Sequence, residues 1–385
     1  MSGACLAVIA LLAALAMLLA GVGCLYHIGA AFAVRRHLRK PMPTGGTAPV
    51  SVLKPLCGAE PGLYENLASF CRQDHPCYQV IFGVREADDP AIAVVRRLIA
   101  DLGRDDVELV IDGSLRGTNY KVSNLGNMLA RARHEVLVLA DSDMRVAPHY
   151  LSAVTAPLAD PANGLVTCLY VGRPRPDLWS RLGAGFINWG FLPSVLVGEA
   201  LGVDEGCFGA TMALRRETLE RVGGFAAFDD HLADDHALGV AVRRLGCKVV
   251  LSPYLVDDDL HEPDLAALYA HELRWQRTIR VVAPGGHASS IMTQPLAFAL
   301  PALALSAASP APFGWIAIFV LCAALAARIF CARTADSSFG LLPCAWLVPL
   351  RDVLTLVVFV HSFLGRRVRW RGHLFRVAAD GRLVP

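Results

Sequence analysis

The chain has 385 residues, of which 54% are hydrophobic and 18% charged, with 36 Lys and Arg against 34 Asp and Glu and a formal net charge of +2. That is too apolar for an ordinary soluble protein and too charged for a bundle of membrane helices alone, and the near balance of charge gives no overall field that argues for a nucleic-acid partner. The apolar residues gather at the two ends and most of the acids lie between, which predicts a water-facing domain tied to a membrane. Eleven cysteines, without a C-x-x-C pair and with Cys5, Cys24, Cys322 and Cys331 inside apolar runs, read as reduced or buried, as in a cytoplasmic domain.

Ala4 to Val34 is apolar or small almost throughout, and at ~1.5 Å per residue it reaches ~46 Å against a hydrocarbon core of ~30 Å, enough for one tilted crossing. The basic cluster Arg35, Arg36, Arg39 and Lys40 follows the run, and nothing basic precedes it. That polarity is the reverse of a cleaved signal peptide, so residues 1–40 read as an anchor with a basic flank that keeps Arg35 onward in the cytoplasm. Residues 41–49, rich in Pro, Gly and Thr, read as a linker.

Over 50–290 brief apolar runs (Val50 to Leu53, Gln79 to Val84, Glu108 to Ile111, Val136 to Ala140) read as buried strands. Between them Pro90 to Leu102 and Lys121 to Ala132 carry helical periodicity. The alternation predicts an α/β domain with a mainly parallel sheet covered on both faces, and ligands at the carboxyl ends of its strands. Residues 291–364 turn apolar again. Ile291 to Ala308 and Pro312 to Cys331 predict a membrane hairpin. Leu341 to Leu364 carries Pro343, Pro349, Arg351 and Asp352, which predicts a re-entrant or interfacial segment, with a full crossing as the alternative. Arg366, Arg367, Arg369, Arg371 and Arg376 then make 365–385 a basic cytoplasmic tail.

The strongest chemical signal is Asp141-Ser142-Asp143 directly behind the apolar run Val136 to Ala140. Spacing i, i+2 puts both carboxylates on one side of an extended chain, where two like charges ~4 Å apart repel by ~4 kcal/mol at an effective dielectric of ~20. A divalent cation relieves that repulsion, and Mg²⁺ or Mn²⁺ held by one or two carboxylates shares its remaining positions with phosphate oxygens. Other acids follow the second strand (Glu86, Asp88, Asp89) and open an amphipathic run that ends at Arg244 (Asp234, Asp235). Lys121 and Asn124 stand at a helix start, where Lys121 can meet phosphate. Gly206 to Thr211, with Gly209 at its middle, reads as a small-residue wall that lets backbone approach a sugar.

Taken in order, VSVLKPLCGAE, the DDP group, GTNYKVSN, DSD, GCFGATMALRRETLERVGGF, ADD and RW resemble the inverting glycosyltransferases of the ceramide glucosyltransferase type. The resemblance covers Val50 to about Val282. It implies a glycosyltransferase A fold, Rossmann-like, with an N-terminal transmembrane helix and C-terminal membrane segments. It further implies that Asp88 and Asp89 lie near the uridine of a UDP-sugar, that Asp141 and Asp143 hold the diphosphate through Mg²⁺ or Mn²⁺, and that Asp235 is the general base. Arg274 and Trp275 look like the end of a (Q/R)-x-x-R-W motif, with Arg274 meeting diphosphate charge, while His271 departs from the motif by standing where Gln or Arg is the rule.

Arg181 to Leu201 is apolar and aromatic in the middle of the domain and reads as an interfacial segment on the acceptor's route from the membrane. LKPLCGAEPGLYENLASFCRQDHP, KVSNLGNMLARARHEVLVLADSDMRV and HELRWQRTIRVVAP are most similar to the bacterial hopanoid-biosynthesis glycosyltransferases. That likeness implies transfer of N-acetylglucosamine from UDP-N-acetylglucosamine to bacteriohopanetetrol at the bacterial inner membrane. A ceramide or diacylglycerol glucosyltransferase using UDP-glucose is the alternative within the class. A membrane-bound sugar-nucleotide scaffold without turnover is the alternative outside it.

Overall fold

The computed structural model describes residues 3–203, 206–307, 311–365, 367–370, 373–378 and 381–384. Two compact units interleave along the chain: Lys40–Arg175, Glu205–His261 and Arg367–Pro385 form one, and Met1–Arg39, Pro176–Asp204 and Glu262–Arg366 the other. This differs from a continuous domain over 50–290, because the helical stretch Leu178–Leu201 is itself long and apolar enough to cross a membrane and groups with the other apolar helices.

The first unit is built on a sheet of eight strands: β1 (Val50–Leu56), β2 (Tyr78–Val84), β3 (Val107–Ile111), β4 (Val136–Leu139), β5 (Met144–Arg145), β6 (Asn163–Pro174), β7 (Met212–Arg215) and β8 (Lys248–Leu260). Their spatial order is β3-β2-β1-β4-β7-β6-β8-β5. β3, β2, β1 and β4 are parallel, β6 and β8 run the same way, and β7 and β5 run against them, so the sheet is mixed with parallel strands in the majority. Alternate residues of one strand serve opposite faces. Val52, Phe82 and Val138 pack into one core, and their neighbours Leu53, Ile81 and Leu137 into another, which is why these strands read as unbroken apolar runs. The helix Ala91–Leu102 starts behind Pro90 and ends at Gly103, whose φ of 60° suits glycine. The expected helix over Lys121 to Ala132 runs Tyr120–Leu129, because the Asn119 side chain caps it by accepting the Lys121 and Val122 amides.

The stretch expected to be a basic tail folds with this unit. Arg367–Trp370 (β9), His373–Val377 (β10) and Leu383–Val384 (β11) form an antiparallel sheet with Val368, Phe375, Val377 and Leu383 buried. Of the five tail arginines, Arg366 and Arg371 lie outside the described residues, and Arg367, Arg369 and Arg376 sit on β9 and β10. The Leu383 amide donates to the Asp230 carbonyl (2.7 Å), and the Leu232 amide to the Gly381 carbonyl (3.0 Å).

The second unit is helical. Gly3–Leu38 packs on Pro295–Ser306 and Ala311–Ser338 through small residues, with Ala13, Ala302 and Ala317 in one contact layer and Ala20, Ala299 and Ala324 in the next. Among the described residues four helices are long and apolar enough to cross a membrane: Ala4–Leu38, Leu178–Leu201, Pro312–Ser338 and Ala345–Ser362. The first arm of the expected hairpin differs. It is bent: Pro295–Ser306 alone has 12 residues, ~18 Å against a core of ~30 Å, and it meets Pro284–Thr293 at 56°, the pair together being long and apolar enough for a broken span or a re-entrant loop.

Arg351 and Asp352, which a lipid-facing helix would tolerate poorly, both turn inward and pair. Arg351 Nη2 lies 2.6 Å from Glu272 Oε2, and the Arg328 Nε lies 2.8 Å from Asp352 Oδ2, with all four side chains buried. Arg351→Met should therefore destabilise the protein by ~3–5 kcal/mol, because Glu272 would stay buried without a partner. Arg351→Met/Glu272→Met should recover most of the loss, as chemical unfolding in detergent would measure.

Candidate active site

Three parallel strands deliver their carboxyl ends to one edge of the sheet: β1 to the turn at Cys57 and Gly58, β2 to Arg85–Asp89, and β4 to Asp141–Asp143. Lys54, fully buried within β1, donates from Nζ to the Asp141 carbonyl at 2.6 Å and lies 3.6 Å over the Phe70 ring. Burial pushes its ammonium down to about 7, while Asp143 and Asp141 hold it up.

The Asn119 cap turns Lys121 into the same place. Its Nζ lies 2.7 Å from Asp141 Oδ1 and 3.7 Å from Asp234 Oδ2. Burial opposes the Lys121 charge, but Asp141, Asp234 and Asp235 outweigh it and raise the pKa above the usual lysine range. Asp235 stands in the first turn of the helix Asp234–Arg244, and both of its oxygens are oriented: Oδ2 accepts the Gly209 amide (2.8 Å) and Oδ1 the His236 amide (2.7 Å). Burial raises the Asp235 pKa, against the pull of Lys121 and these two amides.

Gly209 is the meeting point. A Cβ built there would lie 3.1 Å from Lys121 Nζ, 3.3 Å from Asp235 Oδ2 and 3.5 Å from Asp141 Oδ2. The absence of a side chain at Gly209 leaves room for all three groups around its amide, which donates to Asp235.

Asp143 is half-buried, and its Oδ1, itself shielded from solvent, has no hydrogen-bond partner. Burial, then Asp141 and Glu60, raise its pKa, with Lys54 opposing. Among the described residues no three or more His, Cys, Asp or Glu side chains gather into a metal cage. An unpartnered carboxylate oxygen two residues from Asp141 fits instead a hard divalent cation that takes one or two protein carboxylates and completes its shell elsewhere. Asp143 and Asp141 are the residues that would hold it.

Asp89, Arg85, Tyr120, Lys121 and Asn124 line a cleft of about 250 Å³ between the ends of β1 and β2. Asp89 accepts the Gly58 amide on both oxygens (3.0 and 2.9 Å) and the Ala91 amide (2.8 Å), so it pins the loop after β1 to a helix start. Asp88 is exposed and is not among the residues lining the cleft. Asn124 braces β2 by donating to the Gly83 carbonyl at 2.8 Å.

His271, Arg274 and Trp275 belong to the helical unit, on Leu265–Val282. His271 Nδ1 lies 2.7 Å from Glu262 Oε1, its ring is 4.2 Å from that of Trp275, and Trp275 packs on Phe186 at 5.5 Å. Two residues outside the expected set also face the acids. Lys54 had a signal, a charge inside a buried strand. Asp258 lies buried on β8 opposite Met144, and burial, then Asp143 and Asp141, raise its pKa strongly. Its signal was the alternating pattern that puts it on the face of Tyr254 and Val256.

The sequence profile described as Glycosyl transferase family 21 matches residues 15–383. The chain belongs to glycosyl transferase family 21. This family-21 chain is 28% identical to ceramide glucosyltransferase 1 of Caenorhabditis elegans over 62% of its own length and 53% of that protein's. It is 23% identical to ceramide glucosyltransferase 3 of the same organism over 94% and 81%. The chain thus spans about half the length of the first relative and four fifths of the second. Among solved structures it is similar to the mannosyltransferase PcManGT from Pyrobaculum calidifontis in complex with GDP-Man and Mn²⁺, at 22% identity and a TM-score of 0.52, covering 92% of this chain and 98% of that one. Its fold is the glycosyltransferase A type, with apolar helices that include an N-terminal one.

In this family-21 enzyme Gly209→Ala should leave the fold intact, because the crowded atoms are the ends of flexible side chains. Shifting Lys121 and Asp235 by a few tenths of an ångström should slow turnover on the order of tenfold. Thermal unfolding beside steady-state rates on the same preparation checks both halves.

Proposed function

We propose that this family-21 glycosyltransferase moves a hexose from a UDP-sugar to a hydroxyl group of a membrane lipid, with inversion at the anomeric carbon. The observation that carries the reading is the cluster around Gly209, where a lysine, a strand-end acid and a helix-start acid meet within one residue's reach. The cleft beside Asp89 takes the nucleoside, and Lys121 at its floor meets the diphosphate. Asp143 and Asp141 would hold Mg²⁺ or Mn²⁺, which when bound would supply charge neutralisation for the leaving diphosphate. Asp235 accepts the proton of the acceptor hydroxyl, and its raised pKa brings it nearer the working pH of a general base. Arg274 adds positive charge for the diphosphate, a role supported by the match of Arg274 and Trp275 to the end of the (Q/R)-x-x-R-W motif, while His271 stands at the donor-side position from which the motif's usual Gln or Arg is missing.

The acceptor best supported is a ceramide-type lipid, since the relatives above carry the name ceramide glucosyltransferase. Transfer of N-acetylglucosamine to bacteriohopanetetrol is the second reading, supported by the resemblance of the stretches around Lys54, Lys121 and Arg274. The sheet-bearing unit works in the cytoplasm, as the basic residues after the first apolar helix suggest, and a bacterial inner membrane rests on the hopanoid-type resemblance alone.

Purified full-length protein given UDP-glucose or UDP-N-acetylglucosamine, each with ceramide or bacteriohopanetetrol, should yield one glycolipid by mass spectrometry, with inverted configuration by NMR. Donor binding without transfer to any lipid would favour the scaffold instead.

A further inference from the structure

The cationic end of the helix Gly3–Leu38 carries a second cleft. Arg35 and Arg36 stand three and four residues after Phe32, and Arg39 four and three after them, so the four lie along one side of the helix. With Ala33 and Ala200 they line a cleft of about 460 Å³. Its walls are apolar toward Phe32, which is 59% exposed, and basic toward Arg39. One turn deeper into the apolar run, Gly29 leaves the face open, with nothing within 4 Å of where a side chain would begin. His37, by contrast, is buried 3.6 Å from Glu199. Among the described residues no carboxylate lies within 4.0 Å of Arg35, Arg36 or Arg39.

We propose that this cleft binds an anionic phospholipid, with its phosphate among Arg35, Arg36 and Arg39 and one acyl chain along Phe32 and Gly29. Three unpaired cations within two turns repel one another, and a phosphate relieves that repulsion. The choice of a lipid over a free anion follows from the wall. An acyl chain covers the exposed Phe32 and the space beside Gly29, which inorganic phosphate leaves wet. A zwitterionic head group brings its own cation to a site that already holds three.

The test uses the full chain in mild detergent, equilibrated with mixed micelles of equal phosphatidylglycerol and phosphatidylcholine, with retained lipid quantified by mass spectrometry after washing. Phosphatidylglycerol should be enriched. Each Arg→Gln change should weaken its retention about fivefold, and Arg35→Gln/Arg36→Gln/Arg39→Gln about a hundredfold. Gly29→Leu, which fills the acyl slot and leaves every charge in place, should also lower retention while sparing binding of glycerol phosphate. Unchanged enrichment in the single Arg36→Gln variant and in Gly29→Leu, both verified as folded by gel filtration, would overturn the site. So would displacement of the lipid by an equal concentration of glycerol phosphate, which would mark an anion site with no role for the chain.

Discussion

Asp235→Asn should keep donor affinity within a few-fold and lose at least ~10²- to 10⁴-fold in the single-turnover rate of transfer. The amide keeps the shape of the side chain, and its oxygen can still accept one of the two amides, Gly209 or His236, that orient the carboxylate. What it loses is the ability to take a proton. If Asp235 were no more than an acid favoured by a helix start, the same change would cost a few tenths to ~1 kcal/mol of stability and leave turnover nearly intact. Donor titration and single-turnover rates on one folded sample separate the two cases, and an unchanged rate would remove Asp235 from the mechanism.

Asp143→Ala should reduce Mn²⁺ affinity at least ~10²-fold, read by electron paramagnetic resonance, and bring transfer to background. EDTA should do the same to the unaltered protein, reversibly on adding back the ion. The variant should nonetheless fold as well as its parent. Asp143 is half-buried with one shielded oxygen unpartnered, so desolvation works against its charged form and its removal relieves a cost. Transfer that persists in the variant or under EDTA would sink the assignment, and a variant that merely unfolds would make Asp143 a structural acid.

The sheet was legible because its strands are buried on both faces. An apolar run such as Val136–Leu139 has no other comfortable place, and the acids behind it fall where parallel strands end. The meeting of Lys121, Asp141 and Asp235 was legible as separate motifs, whereas their convergence on Gly209 depends on β7 and the loop before it returning beside β4. Lys54 escaped because it is a single charge inside a strand with no motif around it, and Asp258 because it stands in the run Asp257–Asp259, where only the strand's alternation marks the buried acid. The charges of the apolar helices escaped for a related reason. Arg351 and Asp352 look exposed to lipid in one dimension, and their partners Glu272 and Arg328 stand 79 and 24 residues away. The tail misled through its arginines, which suggested a free basic segment where alternating Val368, Phe375 and Val377 fold into a sheet.

That small sheet carries a consequence for the order in which the molecule can be completed. Thr118, one residue before the Asn119 cap of the Lys121 helix, reaches the Leu383 carbonyl 265 positions onward (3.4 Å), and the loop leading to Asp234 is bonded at Asp230 to the same strand and at Leu232 to Gly381 in the turn before it. Between these partners the chain leaves the unit at His261, forms the apolar helices and returns at Arg367. A ribosome therefore releases Lys121 and Asp235 long before the residues that brace their loops exist, and every apolar helix in between has to be threaded first. Faulty membrane insertion would in this way be felt as slack around Lys121 and Asp235, even though the insertion machinery never touches them.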